Sequence, residues 1–200
     1  MMPNAIYGAV ILAALCWFFT FGISWGNFWF KIAIAVAITC LYAFKHQKIR
    51  FRITAQSILL GIFSAVVLYG IFYLGHALSP YIIKDAHVQE ARIYEMGAGS
   101  PRLPVFFLLL FITGPGEEIF WRGFLQENLM RRFGNLNGYF ISALLYAGAH
   151  IFSLNFMLIM SALTAGLFWG GLYLWKRDLG MIVISHSLWS AVIFAVFPIR

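Results

Sequence analysis

The chain has 200 residues, of which 62% are hydrophobic and only 10% are charged. Soluble domains contain about 45–50% apolar and about 25% charged residues, so this composition excludes a soluble protein and predicts an integral membrane protein. The net charge of +7 does not indicate nucleic-acid binding, because the basic residues lie at the ends of apolar segments, where they serve as topology signals. We therefore expect the lipid bilayer as a partner, and no nucleic acid.

The apolar segments predict an all-α, polytopic membrane protein. A transmembrane helix needs about 20 apolar residues, and the chain has six such segments, of which the fifth is too long for one crossing. We divide that segment near Ser153–Asn155, which gives about seven transmembrane helices. The predicted helices cover residues 4–24, 27–44, 55–79, 103–130, 138–153, 156–174 and 179–197.

The chain is expected to form one integral membrane domain with two parts. Residues 1–102 supply the N-terminal transmembrane helices and an outer loop, within which residues 84–96 are predicted to form a short amphipathic helix. Residues 103–200 supply a four-helix core. The N-terminal segment lacks a basic n-region and a small-residue cleavage site, so we expect it to be a retained helix rather than a cleaved signal peptide.

The distribution of Lys and Arg predicts the orientation. If seven helices alternate, the connections at 45–52, 131–132 and 176–177 fall on one side and carry eight basic residues. The opposite side carries four, which are Lys84, Arg92, Arg102 and Arg200. The richer side should be the cytosol, with the N-terminus inside and the C-terminus outside.

Two adjacent carboxylates and an arginine stand inside the apolar segment "ITGPGEEIFWRGFL". Glu118 and Arg122 are four residues apart, so they share a helix face and can form an ion pair. Glu117 is rotated by about 100° from Glu118 and has no helical partner of opposite charge. An ionisable residue within a membrane span is a candidate functional residue. The preceding Pro115 predicts that the helix is kinked or restarts at that point.

Two histidines, His150 and His186, also lie within predicted spans. At 1.5 Å per residue, Glu117 lies about 21 Å and His150 about 18 Å from the turn at 131–138 that joins their helices, while His186 lies about 12 Å from the start of its helix. All three can therefore line one cavity, which we expect in the cytosolic half of the bilayer.

Each histidine has a polar neighbour one helical turn away, Tyr146 before His150 and Ser190 after His186. Such a neighbour could orient the imidazole or bind substrate. The alternative for Tyr146 is an ordinary packing residue. The alternative for Ser190 is a hydroxyl that bonds to its own helix backbone.

Together the motifs EExxxR (Glu117, Glu118, Arg122), Tyr146-xxx-His150 and His186-xxx-Ser190 resemble the CPBP family of intramembrane endopeptidases. This CAAX-protease and bacteriocin-processing family, also called Abi, is related to the type II CAAX prenyl proteases. The resemblance covers residues 103–197. It differs at Tyr146, where the family more often has Phe, and at Ser190, where the family usually has Asn or Asp.

The resemblance implies roles for the residues that match. Glu117 would be the base that activates water, aided by His150, and His186 with Ser190 would stabilise the tetrahedral oxyanion. Glu118 and Arg122 would be supporting residues. Independently of the family, one carboxylate and two imidazoles could supply this chemistry without a metal, or they could bind Zn²⁺ as a His₂Glu site. We expect the metal-free arrangement.

The predicted function is therefore that of an intramembrane endopeptidase in the plasma membrane of a prokaryote, the source being inferred from the resemblance. Its substrate would be a membrane-anchored or lipid-modified protein or peptide, such as a CAAX tail, a bacteriocin leader or a protein with a C-terminal sorting signal. Two other functions remain open, a non-catalytic immunity or scaffold protein and a small proton-coupled transporter.

Overall fold

The computed structural model describes residues 3–199, and within that range all regular structure is helical. We number eight helices in chain order, treating a continuous run as one helix. They are α1 (Pro3–Trp17, extended by a π turn at Phe18–Gly22), α2 (Phe28–His46), α3 (Ala55–Leu78), α4 (Ala86–Glu95), α5 (Arg102–Phe133), α6 (Asn135–Ala149), α7 (Phe156–Lys176) and α8 (Leu179–Ala191, extended by a π turn at Val192–Val196).

Short polar residues mark where the long apolar helices begin. Asn27 caps α2, Thr54 caps α3, Asn155 caps α7 and Asp178 caps α8, each through a side-chain oxygen that accepts a backbone N–H. These caps satisfy N–H groups that have no partner within the helix. The predicted division of the fifth segment near Ser153–Asn155 is confirmed, since α6 and α7 are separate helices on either side of it.

Six helices in the described range are long and apolar enough to cross a membrane. They are α1, α2, α3, α5, α7 and α8. The seventh predicted span corresponds to α6, which has only 15 residues and is about 22 Å long. A hydrocarbon core is about 30 Å thick, so α6 alone does not span it, although it continues into a 3₁₀ turn at His150–Ser153.

Contacts between connections sort the helix ends onto two faces. On the face of the basic connections, Ser57 bonds to Asp178 at 2.8 Å and Arg177 bonds to Asn135 at 2.8 Å. We call this the basic face. The two faces alternate along the chain, with the short α6 leading from the basic face to the opposite one.

The opposite face carries α4, and we call it the α4 face. There the Asn155 side chain donates to the Gln89 carbonyl at 2.8 Å, and Asn27 donates to Ser100 at 3.0 Å. The predicted amphipathic helix at 84–96 is confirmed as α4. The connection that contains α4 therefore packs against the helix ends on this face rather than lying apart from them.

Helix α5 carries the two carboxylates and is unusually wound. It runs without interruption from Arg102 to Phe133, so the expected restart at Pro115 does not occur. Instead, π-helical turns at Leu109–Thr113 and Ile119–Gln126 flank the short α-helical stretch Gly114–Glu118. Proline has no N–H to donate, and π turns within helices are frequent at functional sites.

Two glycines allow α5 to approach its neighbours closely. A Cβ added at Gly114 would overlap Ser187 of α8, and one added at Gly116 would overlap Val36 of α2. Small residues of this kind let membrane helices pack at short distance. They fix the position of the next two residues, Glu117 and Glu118.

Candidate active site

The structure brings five of the seven predicted site residues to one cavity of about 800 Å³. Glu117 reaches it from α5, Tyr146 and His150 from the end of α6, and His186 and Ser190 from α8. The other two, Glu118 and Arg122, lie behind the cavity wall and are almost fully buried. Residues that are up to 73 positions apart in sequence thus share one chamber.

The cavity extends to the α4 face. Its lining includes residues 82–83, 90, 93–94 and 96–100 of the α4 connection and no residue of the basic connections. Ile82 in this lining is 79% exposed, so the cavity reaches the surface there. The cavity therefore opens away from the basic face, and the expectation that it lies in the half of the bilayer next to that face is wrong. The reason is that His150 lies in the turn that follows α6, at the end of that helix remote from the basic face.

Glu117 is held by one neighbour. Its Oε2 accepts a hydrogen bond from the Tyr146 hydroxyl at 3.0 Å, and its side chain lies at the cavity wall. The other oxygen, Oε1, has no hydrogen-bond partner among the described residues and is not sealed from the cavity. Tyr146 therefore positions the carboxylate and leaves one oxygen open to a water or a substrate.

The hydrogen bonds of His150 assign its tautomer. Nδ1 lies 2.8 Å from the Tyr146 carbonyl oxygen, which can only accept, so Nδ1 carries the proton. Nε2 accepts a hydrogen bond from the indole N–H of Trp17 at 3.3 Å. Both ring nitrogens are thus engaged, and the ring is held one turn from the tyrosine that contacts Glu117. This arrangement suits a positioning role for His150.

Glu118 is the centre of a buried charged chain. Its Oε1 accepts hydrogen bonds from Arg122 at 2.7 Å and from His186 Nδ1 at 2.6 Å. The ion pair that the four-residue spacing predicts is therefore present. The Glu118 side chain is 0% exposed and that of Arg122 is 1% exposed. Buried charges are tolerated when they are paired and hydrogen-bonded in this way.

His186 is fixed on two sides. Glu118 binds its Nδ1, and the Trp169 ring stacks on the imidazole with centroids 3.8 Å apart and planes inclined by 17°. Trp169 is itself held by a hydrogen bond to Ser185 at 3.1 Å. Nε2 of His186 has no protein partner within the described chain, and the residue lines the cavity. The ring therefore presents this nitrogen to the cavity.

Ser190 lies one turn beyond His186 and also lines the cavity. Its hydroxyl forms no hydrogen bond with any described residue, so it is not bonded to the backbone of its own helix as the alternative interpretation proposed. The hydroxyl remains available to a ligand in the cavity.

The sequence analysis missed Trp17 and Trp169. Both are buried, and each fixes one of the two histidines. The chain has seven tryptophans, and no local pattern distinguishes these two from the others. Trp17 belongs to the N-terminal part of the chain, so the support of the site extends beyond the predicted four-helix core.

The residues of the alternative Zn²⁺ site do not fit a metal as they are arranged. Within residues 3–199, the donor atoms of Glu117, His150 and His186 do not converge to the spacing that a metal ion requires. Both nitrogens of His150 are occupied by protein groups, and Nδ1 of His186 is bound to Glu118.

The chain was compared with family models, curated proteins and solved structures, and it matches a family model. Residues 99–192 match the model described as type II CAAX prenyl endopeptidase Rce1-like. The comparisons with curated proteins and with solved structures find no match. The matched range begins before α5 and ends in α8, so it contains all seven predicted site residues.

Proposed function

We propose that this chain, whose residues 99–192 match the model described as type II CAAX prenyl endopeptidase Rce1-like, hydrolyses a peptide bond with a water molecule activated by Glu117. The observation that carries the proposal is the shared cavity. Glu117 and His186 line the same chamber from different helices, and each is fixed from behind by a separate set of buried partners.

The open oxygen of Glu117 is suited to act as a general base. It would accept a proton from a water whose oxygen bonds to the carbonyl carbon of the substrate. The same proton would then pass from Glu117 to the amide nitrogen as the C–N bond breaks. Tyr146 keeps the carboxylate oriented through both steps, because its hydroxyl is bonded to the other oxygen.

His186 is suited to stabilise the oxyanion. This role requires that Nε2 donates a proton into the cavity while Nδ1 donates to Glu118. Preorganised donors of this kind make large contributions to catalysis. The Ser190 hydroxyl, one turn away, supplies a second donor.

We further propose that the reaction needs no metal, which the engaged nitrogens of His150 support. Activity of the purified protein should survive treatment with a strong chelator, and elemental analysis should find no stoichiometric metal that cleavage requires. Chelator inactivation that is reversed by Zn²⁺ would contradict the metal-free mechanism.

The substrate we propose is a membrane-associated chain that enters from the α4 face. If the basic face is cytosolic, as the Lys and Arg distribution predicts, this entrance lies in the outer half of the bilayer. A protein with a C-terminal sorting signal or a bacteriocin leader fits that entrance better than a CAAX tail presented by the inner leaflet.

Cysteines introduced at Gln47 and Asn135 should react with impermeant reagents only from the cytosol, and one at Gln89 only from outside. Reversed labelling would place the entrance on the cytosolic side.

The central test replaces Glu117. Glu117→Gln preserves the shape of the side chain but removes the base, so cleavage should fall to background while the protein remains folded in the membrane. The matched control is Glu127→Gln, the same change on α5 at the basic face, where Glu127 pairs with Arg177 away from the cavity. Comparing membrane proteomes of cells with wild-type protein, each variant and no protein would identify the cleaved chain.

The same experiment separates the alternatives. A cellular phenotype that Glu117→Gln leaves unchanged would contradict the protease and favour a scaffold or immunity protein. Loss of solute flux without any cleaved product would favour a transporter.

A further inference from the structure

A second cluster of metal-ligating side chains lies at the entrance of the cavity, and none of its members takes part in the proposed reaction. His76 lies in the last turn of α3, and His87 and Glu90 lie three residues apart on α4. We propose that these three residues form a binding site for a transition-metal ion of the Zn²⁺ class, which joins α4 to α3.

The distances support a metal site. His76 Nδ1 lies 2.6 Å from Glu90 Oε2, and His87 Nε2 lies 4.0 Å from the same oxygen. One donor atom from each of the three residues lies within 4.8 Å of the donor atoms of the other two. Tetrahedral Zn²⁺ with bonds of about 2.0–2.1 Å holds its donor atoms roughly 3.4 Å apart. The observed spacings bracket that value. An ion bound here would replace the hydrogen bond between His76 Nδ1 and Glu90 and that between His87 Nε2 and the His76 carbonyl oxygen.

The carboxylate of the cluster is already oriented by another contact, whereas the imidazoles are not. The two imidazole rings are stacked, with centroids 4.3 Å apart and planes inclined by 18°, so one ring would turn to aim its in-plane lone pair at a shared ion. The second oxygen of Glu90 accepts a hydrogen bond from the Ser79 hydroxyl at 3.0 Å. Hydrogen bonds to the ligands of a metal fix their direction and strengthen binding. Ser79 therefore supports the carboxylate as a ligand.

The donor set selects the class of cation. Two imidazole nitrogens and one carboxylate oxygen suit Zn²⁺ and similar divalent transition metals, whereas Mg²⁺ and Ca²⁺ prefer oxygen ligands alone. The His87 side chain is 53% exposed, so an ion has direct access and water can complete its coordination. The buried set of Glu117, His150 and His186 contains the same residue types, but its donor atoms do not converge.

The position of the cluster means that a bound metal ion would connect α4 to α3. His76 and Glu90 both line the wall of the cavity. An ion bound to them and to His87 would hold the first turn of α4 against the end of α3, at the edge of the entrance. We therefore expect the metal to stabilise the α4 connection.

The test is a zinc titration of the purified full chain in detergent, followed by calorimetry. The wild-type protein should bind one Zn²⁺ at this site, and His87→Ala and Glu90→Gln should each weaken that binding by at least about tenfold. Zn²⁺ should raise the Tm of the wild-type protein but not that of His87→Ala. The control is His46→Ala, which removes an exposed histidine at the basic face and should bind zinc as the wild type does.

Several results would overturn the proposal. These are the absence of saturable binding at millimolar Zn²⁺, binding that survives both His87→Ala and Glu90→Gln, and binding of Mg²⁺ as tight as that of Zn²⁺. Zinc binding that is lost in His186→Ala but retained in His87→Ala would assign the metal to the buried set. That outcome would also contradict the metal-free mechanism, whereas loss of binding in His87→Ala leaves that mechanism untouched.

Discussion

Glu117 and Glu118 are neighbours in sequence, yet they belong to two different halves of the site. The half around Glu118 contains Arg122 and His186, and both bond to the same buried oxygen of Glu118, Oε1, while its Oε2 has no hydrogen-bond partner among the described residues. The half around Glu117 has a single polar contact, to Tyr146, and is open to the cavity. One helix thus presents a carboxylate that is used for structure beside another that is free for chemistry.

The difference follows from helix geometry. Successive side chains point about 100° apart, so Glu118 faces α7 and α8 while Glu117 faces the cavity and α6. Gly114 and Gly116 fix α5 closely against its neighbours, which leaves little freedom to exchange the two directions. A charged side chain of this membrane protein is buried where residues on the same side of the helix can form hydrogen bonds or ion pairs with it.

The largest effect on stability is expected from Glu118→Gln. This change leaves Arg122 and His186 without their shared carboxylate, and breaking a buried ion pair costs about 3–5 kcal/mol. Chemical unfolding in detergent should show this loss, while Glu117→Gln should remain within about 1 kcal/mol of the wild type. Equal losses in the two variants would show that the halves do not differ as described.

A smaller loss is expected from Gly116→Ala. The new Cβ would overlap Val36 of α2, and overpacking typically costs about 1–3 kcal/mol. Gly148→Ala on α6 is the matched control, since nothing lies within 4 Å of a Cβ at that position. Thermal unfolding should separate the two variants. A Tm for Gly116→Ala equal to that of the control would contradict the close approach of α5 and α2.

Trp17→Phe tests whether the N-terminal helix supports the open half of the site. The variant keeps an aromatic ring but removes the hydrogen bond to His150, so we expect a loss of about 1 kcal/mol in stability and slower cleavage. Trp25→Phe provides the control, because Trp25 is 71% exposed. If both variants cleave at the wild-type rate, His150 does not depend on this bond.

The smallest effect is expected from Ser190→Asn. The hydroxyl has no partner among the described residues and faces the cavity, so an amide can replace it without breaking a contact. Turnover should be unchanged or higher, whereas Ser190→Ala, which removes the donor, should reduce it. A folded Ser190→Asn variant without activity would argue against a donor role at this position.

The sequence was sufficient to predict the helical fold, the break at Ser153–Asn155, the Glu118–Arg122 ion pair and the residues that share the cavity. These predictions rest on segment length, local spacing and the rarity of charge in lipid. The π turns, Trp17 and Trp169 and the side on which the cavity opens could not be predicted. In a chain this apolar, helices are hydrophobic on all faces, so periodicity does not reveal which face meets a neighbour.

The short α6 has a consequence for the bilayer itself. A helix of about 22 Å inside a hydrocarbon layer of about 30 Å creates a hydrophobic mismatch, which lipids relieve by thinning locally. The depression would form above the 3₁₀ turn at His150–Ser153, on the α4 face. Water would then reach the mouth of the cavity that Glu117 lines because the membrane is thin there. Acyl chain length should accordingly tune the rate of hydrolysis, with thicker bilayers giving slower turnover.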